Sequence, residues 1–263
     1  MPGPRTINLP FGPRAAASGG GNGTVVAAAA AAAVTRNGPV IAIKNQSTVV
    51  TDAQAQAVVA ALQIQLDRDW YPAWNTTATL VFLNKNQAVP AGAWPLYLLD
   101  TSDVAGALGY HDETNRGVPY GRVFVKTSQQ YGYSWTVTLS HELLEMVANP
   151  HVNLTVFRQS SNSAGSIYFF EVGDACEDDS FGYRINGILV SDFVFPAWFD
   201  SFQLTAGTRY DFMNRITAPF QILTGGYVSV YPVNRGNGWT TLTHRDVEVP
   251  AGTDISGRNR MDR

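Results

Sequence analysis

Cysteine is almost absent: Cys176 is the only one in 263 residues. No intramolecular disulfide framework can form, and no Cys/His spacing of the zinc-finger kind can be drawn. Long apolar runs are missing too. The nearest, Val25 to Val34, has ten residues, seven of them consecutive alanines, and falls short of the roughly 18 that span a bilayer. No membrane partner is expected. The 24 residues ahead of that run are rich in Gly and Pro, and Arg5 and Arg14 stand far from it. A signal peptide sets its basic region directly before the apolar one, so none is expected, which leaves a cytoplasmic or a virion-associated location open. Basic residues number 18 against 21 acidic ones, the net charge is -3, and Lys and Arg form no block. That pattern excludes a binder of phosphate backbones, so nucleic acid is not an expected partner. No internal repeat of about 20 to 50 residues is present either.

What is there can fold. Apolar residues make up 45% against 15% charged, enough for a core and too apolar for wholesale disorder. Residues 1–38 are expected to be a low-complexity Gly/Ala/Pro arm, 39–205 a folded domain and 206–263 a β-rich C-terminal extension. Val40 to Ile43 reads as a buried strand ending at Asn45. Thr51 with Gln54 makes a capping box for a helix whose Val58, Leu62, Leu66 and Trp70 recur every four positions until Pro72 stops it. Thr79 to Leu83, Trp94 to Leu99 and Arg122 to Lys126 read as strands. Between the last two, Ala105 to His111 is small and glycine-rich, suited to backbone that approaches something closely. After Tyr133 the period is helical again, with Val137, Leu139, Leu143, Leu144 and Val147 on the apolar face and Asn149-Pro150 as the stop.

Further on, Ile167 to Val172, Tyr183 to Ile185 and Ile188 to Val190 read as short strands, the last two joined by an Asn186-Gly187 turn. Phe193 to Phe202 is a loop or short helix, and Tyr227 to Tyr231 another strand. The expected fold class is therefore α/β of the α+β kind: a mixed sheet with two main helices, followed by a β-rich C-terminal part.

The chemistry sits in Ser140-His141-Glu142-Leu143-Leu144-Glu145. On a helix, His141 and Glu145 are four apart and project from one face, as two ligands of a divalent cation should. Glu142 is one step round the same turn, where a carboxylate can act as general base on a metal-bound water. Apolar neighbours surround the three, so the carboxylates are expected to be buried and to need a partner. The nearest basic residues are Lys126 and Arg158. Downstream, Glu171, Asp174, Glu177, Asp178 and Asp179 form an acidic cluster that either faces solvent or holds a cation, calcium included.

A strand, a long helix, mixed strands with a glycine-rich edge segment and a helix bearing His-Glu-x-x-Glu together resemble the zincin-type metallopeptidases. The resemblance covers roughly Pro39 to Glu177. Ala107-Leu-Gly-Tyr-His111, Tyr131-Gly-Tyr-Ser-Trp-Thr-Val-Thr138, the stretch from His141 to Met146 and Val190-Ser-Asp-Phe-Val194 also resemble a group of bacterial and phage-associated proteins. The zincin resemblance implies a zincin-like domain over 39–205, a zinc held by His141 and Glu145, and Glu142 as base. Glu145 stands where most zincins carry His. For the third ligand two choices are open. His151 follows His141 by ten positions, the metzincin spacing, with Asn149 able to turn the chain; Asp174 or Glu177 would complete a gluzincin-like set, and the acidic cluster is favoured. His111 and Tyr183 are candidates to line the cleft, with Tyr183 and Tyr210 as oxyanion donors.

The function expected from these residues is metal-dependent, zinc-type hydrolysis of a peptide bond in a peptide or protein substrate. The alternative is an inactive, metal-stabilised structural or interaction protein, a component of a phage-like assembly that meets its partners through the N-terminal arm and the C-terminal region.

Overall fold

The computed structural model describes residues 38–161, 164–200, 207–234 and 238–244. The arm expected over 1–38, apart from Gly38, lies outside them, as does the end of the chain from residue 245. Strand β1 (Val40–Asn45) leads into helix α1 (Asp52–Ile64). Thr51 caps α1: its hydroxyl accepts the Gln54 N–H at 3.2 Å, while Gln54 Oε1 accepts the Thr51 N–H at 2.9 Å. The pattern predicts a stop at Pro72, but the helix continues through a widened π turn, Gln65–Trp70, into α2 (Tyr71–Trp74). The widened turn restarts the hydrogen-bond ladder, so Pro72 falls near the start of the next turn, where its missing N–H disturbs least. Asn75, left-handed at φ 53°, ends the helix instead.

Strands β2 (Thr79–Leu83), β3 (Trp94–Leu99), β4 (Gly109–Glu113) and β5 (Pro119–Phe124) join β1 in a five-stranded sheet. The order is β2-β1-β3-β5-β4, parallel throughout except for the antiparallel edge strand β4. Strand β5 ends before Lys126, which belongs to the short helix α3 (Val125–Gln130). Helix α4 (Trp135–Ala148) follows. Alternation decides what the sheet covers. Ile41, Ile43, Leu96 and Leu98 are fully buried in one cluster with Leu62, Leu66, Leu139 and Leu143 of the two long helices, while Ala42 packs with Leu83 and Ala93 in a smaller one.

The remaining strands form the β-rich C-terminal part. Strand β6 (Thr155–Ser161) pairs with β7 (Ala164–Phe169), which ends three residues short of the predicted Val172. A hairpin of β8 (Tyr183–Ile185) and β9 (Ile188–Val190) turns at Asn186 and Gly187, with φ of 51° and 83°, the two left-handed positions such a turn requires. Pro196–Phe199 makes a single 3-10 turn. Strand β10 (Tyr227–Pro232) joins β7, and β11 (Thr240–Thr243) lies outside it, giving an antiparallel sheet of order β11-β10-β7-β6. Phe220, Val228 and Val230 enter the same core as the helices. No helix among the described residues is long and apolar enough to cross a membrane.

Candidate metal centre

Helix α4 is buried on every side from Val137 to Val147, so its polar residues each need a partner inside the fold. Ser140 finds one in the π turn: its hydroxyl donates to Gln65 Oε1 at 2.7 Å and accepts the Ser191 N–H at 3.0 Å, and Gln65 Nε2 donates to the Ser191 carbonyl at 2.9 Å. This closed set fixes α4 one residue away from His141. The ionisable side chains His141, Glu142 and Glu145 open on a cavity of about 180 Å³.

His141 Nε2 lies 3.1 Å from Glu145 Oε2 and 3.4 Å from Asp174 Oδ1. These three residues offer ligand atoms within 4.8 Å of one another. Two glycines allow the approach. The Gly173 N–H donates to Glu145 Oε1 at 3.0 Å, and a Cβ on Gly173 would stand 2.4 Å from His141 Nδ1. On the opposite wall, a Cβ on Gly109 would stand 2.8 Å from Glu142 Oε1. The edge strand β4 can therefore lie against α4, and it carries His111 to 3.4 Å from Glu142 Oε2.

The cavity is short of cations. Glu142, Glu145, Glu171 and Asp174 line it, with His111 and His141 but no Lys or Arg. Burial pushes the Glu145 carboxyl up, against the pull of His141. Burial also pushes Glu171 well above the usual carboxylate range, and the charges of Glu145 and Asp174 push it further. Burial opposes the charged form of His141, but Glu145 and Asp174 outweigh it and hold the imidazole well above its ordinary 6.5. Tyr227, hydrogen-bonded to Asp174, is held well above its ordinary value by burial and by the charges of Asp174 and Glu145. Four carboxylates, two imidazoles and the Tyr227 phenol thus line one cavity, a donor set suited to a hard or borderline divalent cation.

The other predicted residues go elsewhere. His151 leaves the helix end for solvent and pairs with Glu113 at 2.8 Å. Asn149 does not turn the chain in a left-handed conformation; its φ is -138°, and Val152 at φ 47° takes that role. Asn149 Oδ1 instead accepts the N–H groups of Asn153 and Leu154. Glu177 is buried but does not line the cavity. Asp178 caps the turn at Ser180, and Asp179 accepts the Ser134 N–H at the start of α4 at 2.7 Å. Of the five acids of 171–179, Glu171 and Asp174 line the cavity, Asp178 and Asp179 accept backbone N–H groups, and Glu177 is buried without lining the cavity. Tyr183 donates to Asp69 at 2.9 Å and accepts from Gln65 at 3.2 Å, away from the cleft, and Tyr210 does not line it.

Sequence reasoning missed Tyr227, Ser229 and Thr241, which close the cavity from β10 and β11. One signal pointed there: Gly225-Gly226 precedes an alternating strand, and a Cβ on Gly226 would stand 2.5 Å from the Ala175 carbonyl oxygen, which requires close backbone approach. No protein-family model, curated protein or solved structure matches the chain.

Proposed function

We propose that the chain is a metal-dependent hydrolase of peptide bonds, with a zinc ion held by His141, Glu145 and Asp174 and with Glu142 as general base. One observation carries the reading: three buried ligand-type side chains converge in a cavity lined by four carboxylates and no Lys or Arg. A divalent cation would balance the charge of such a cavity. Glu142 lines the same space from the same helix turn, within reach of a water on the ion. The element order behind the zincin resemblance, with a helix after β1, an edge strand at the cleft and a ligand-bearing helix, is also the order of the fold. Zinc supplies a polarised carbonyl and a water of lowered pKa when bound. Glu142 would serve as the base that takes a proton from the attacking water and returns it to the leaving amine.

The test is Glu142→Gln. The variant is expected to keep its fold and its zinc while turnover on a mixed peptide library, read by mass spectrometry, falls by roughly 10² to 10⁴. Equal cleavage by wild type and variant would assign the base to another residue. No cleavage by zinc-loaded wild type would favour the metal-stabilised structural protein.

A further inference from the structure

His111 reaches the cavity on β4, not on α4, and it is not part of the His141, Glu145 and Asp174 group. Its Nδ1 stands 3.4 Å from Glu142 Oε2 and 3.7 Å from Glu145 Oε2, and its Nε2 stands 3.7 Å from Glu171 Oε2. Charge-assisted hydrogen bonds run shorter, at about 2.7 to 2.9 Å. The separations are close to those of ligand atoms around one ion. With bonds of about 2.1 Å, neighbouring ligands stand roughly 3.0 to 3.6 Å apart, from octahedral to distorted tetrahedral angles. His111, Glu142 and Glu145 offer ligand atoms within 4.8 Å of one another, and this group shares only Glu145 with the first.

Charge points the same way. With all four carboxylates in the ionised form that a cation favours, one divalent ion leaves two of their charges uncompensated in a cavity without Lys or Arg, and a second would cancel them. A further sign is at Nε2 of His111. The side chain is only 6% exposed, and this atom has no hydrogen-bond partner. If Nδ1 binds an ion, the Nε2–H faces Glu171, the carboxylate that commonly backs a metal-bound histidine. The cavity of about 180 Å³ has the volume of about six liquid waters, room for two ions and a bridging water.

We infer that the cavity has a second cation position, held by His111, Glu142 and Glu145, with the Glu145 carboxylate bridging two first-row divalent ions. Two ions sharing a carboxylate stand about 3.5 to 4 Å apart. This position rests on the metal site proposed above and has a consequence for its chemistry. Glu142 cannot be ligand and base at once, so turnover peaks at one ion per chain and falls as the second fills.

The experiment uses the full chain, stripped with chelator and dialysed against buffered Zn²⁺, with bound metal measured by elemental analysis. Wild type is expected to take two ions per chain. His111→Gln, which keeps side-chain volume without the Nδ1 ligand, is expected to take one, and Glu145→Ala is expected to lose both. Loading with Mn²⁺ gives an independent readout: the wild-type electron paramagnetic resonance spectrum is expected to show two coupled ions, and the His111→Gln spectrum an isolated one. A wild-type ratio of one that His111→Gln leaves unchanged, but His141→Ala abolishes, overturns the second position and keeps the first. A ratio of zero in wild type sinks both. If melting curves show that His111→Gln does not fold, wild type alone decides, and an uncoupled Mn²⁺ spectrum at saturation overturns the inference.

Discussion

Gly173 is the residue on which the centre is most finely set. Its φ of -96° and ψ of -31° suit any amino acid, so backbone strain does not require glycine here. The requirement is spatial, because a Cβ would meet the His141 ring at 2.4 Å. Gly173→Ala is therefore expected to displace the imidazole, at a cost of about 1 to 3 kcal/mol for an overpacked site, and to weaken zinc binding at least tenfold. Zinc titration of the folded variant checks this, and affinity within twofold of wild type would show that the ring can move freely. His141, Glu142 and Glu145 were legible in the sequence because one helix fixes all three: His141 and Glu145 are related by i, i+4, and Glu142 and Glu145 by i, i+3. The acid that joins them was legible only as a cluster. Which member faces the cavity depends on the path of one 3-10 turn, which places Asp174 inward while Asp178 and Asp179 cap backbone N–H groups. His151 looked equivalent in spacing, yet the Asn149 side chain takes the backbone N–H groups beyond the helix and sends it to solvent.

Between elements, the joint that follows β9 is held by two buried acids. Asp192 Oδ1 accepts the N–H groups of Phe193 and Met213 at 2.8 and 3.1 Å, while Asp211 accepts those of Arg215 and Ile216. Burial first, and Asp211 second, pushes the Asp192 carboxyl well above its ordinary 3.8, and its Oδ2 has no hydrogen-bond partner. An acid raised in this way binds its proton more tightly in the folded state than in the unfolded one. Its contribution is therefore present at low pH and is lost as pH rises from about 3.8 through the raised value. Asp192→Asn keeps an oxygen for both N–H groups and gives Asp211 a donor in place of a like charge. The variant is expected to be more stable than wild type by about 1 to 3 kcal/mol at pH 8, the scale of satisfying one buried polar group, and the gap should close toward pH 4. Urea melts at the two pH values decide it: a gap that does not narrow in acid would mean the pair is not the cause. Nothing in the sequence showed this pair, since residues 192 and 211 are brought together by tertiary pairing, the isolated bridge of Val194 with Asp211 and the backbone bonds beside it. Periodicity found β1, α1, β2, β3 and α4, where one long pattern dominates, and failed at the π turn and at β11, where tertiary pairing sets the conformation.

Across the whole molecule, the cavity is a product of both sheets. Helix α4 packs beside β4 and β5 of the first sheet, whereas Tyr227, Ser229 and Thr241 come from β10 and β11 of the second. The second sheet and the segment leading into it are no lid on an independent domain, because Ile216 and Phe220 of that segment and Val228 and Val230 of β10 are buried in the core that also holds Leu62 and Leu143. Removing four such side chains forfeits roughly 6 to 12 kcal/mol at about 1.5 to 3 kcal/mol each, as much as the whole stability of an ordinary domain, about 5 to 15 kcal/mol. A chain ended at residue 205 is therefore expected to show no cooperative thermal transition and no stoichiometric zinc, although it keeps His141, Glu145 and Asp174. A chain ended at residue 244 is expected to melt cooperatively, and to melt higher with zinc, since an ion bound only by the folded state stabilises it by mass action. Circular dichroism melts of the two chains with and without zinc separate the cases. Cooperative melting of the 205-residue chain with zinc still bound would mean that the metal centre is complete within the first sheet and its helices, and that β10 and β11 merely cover it.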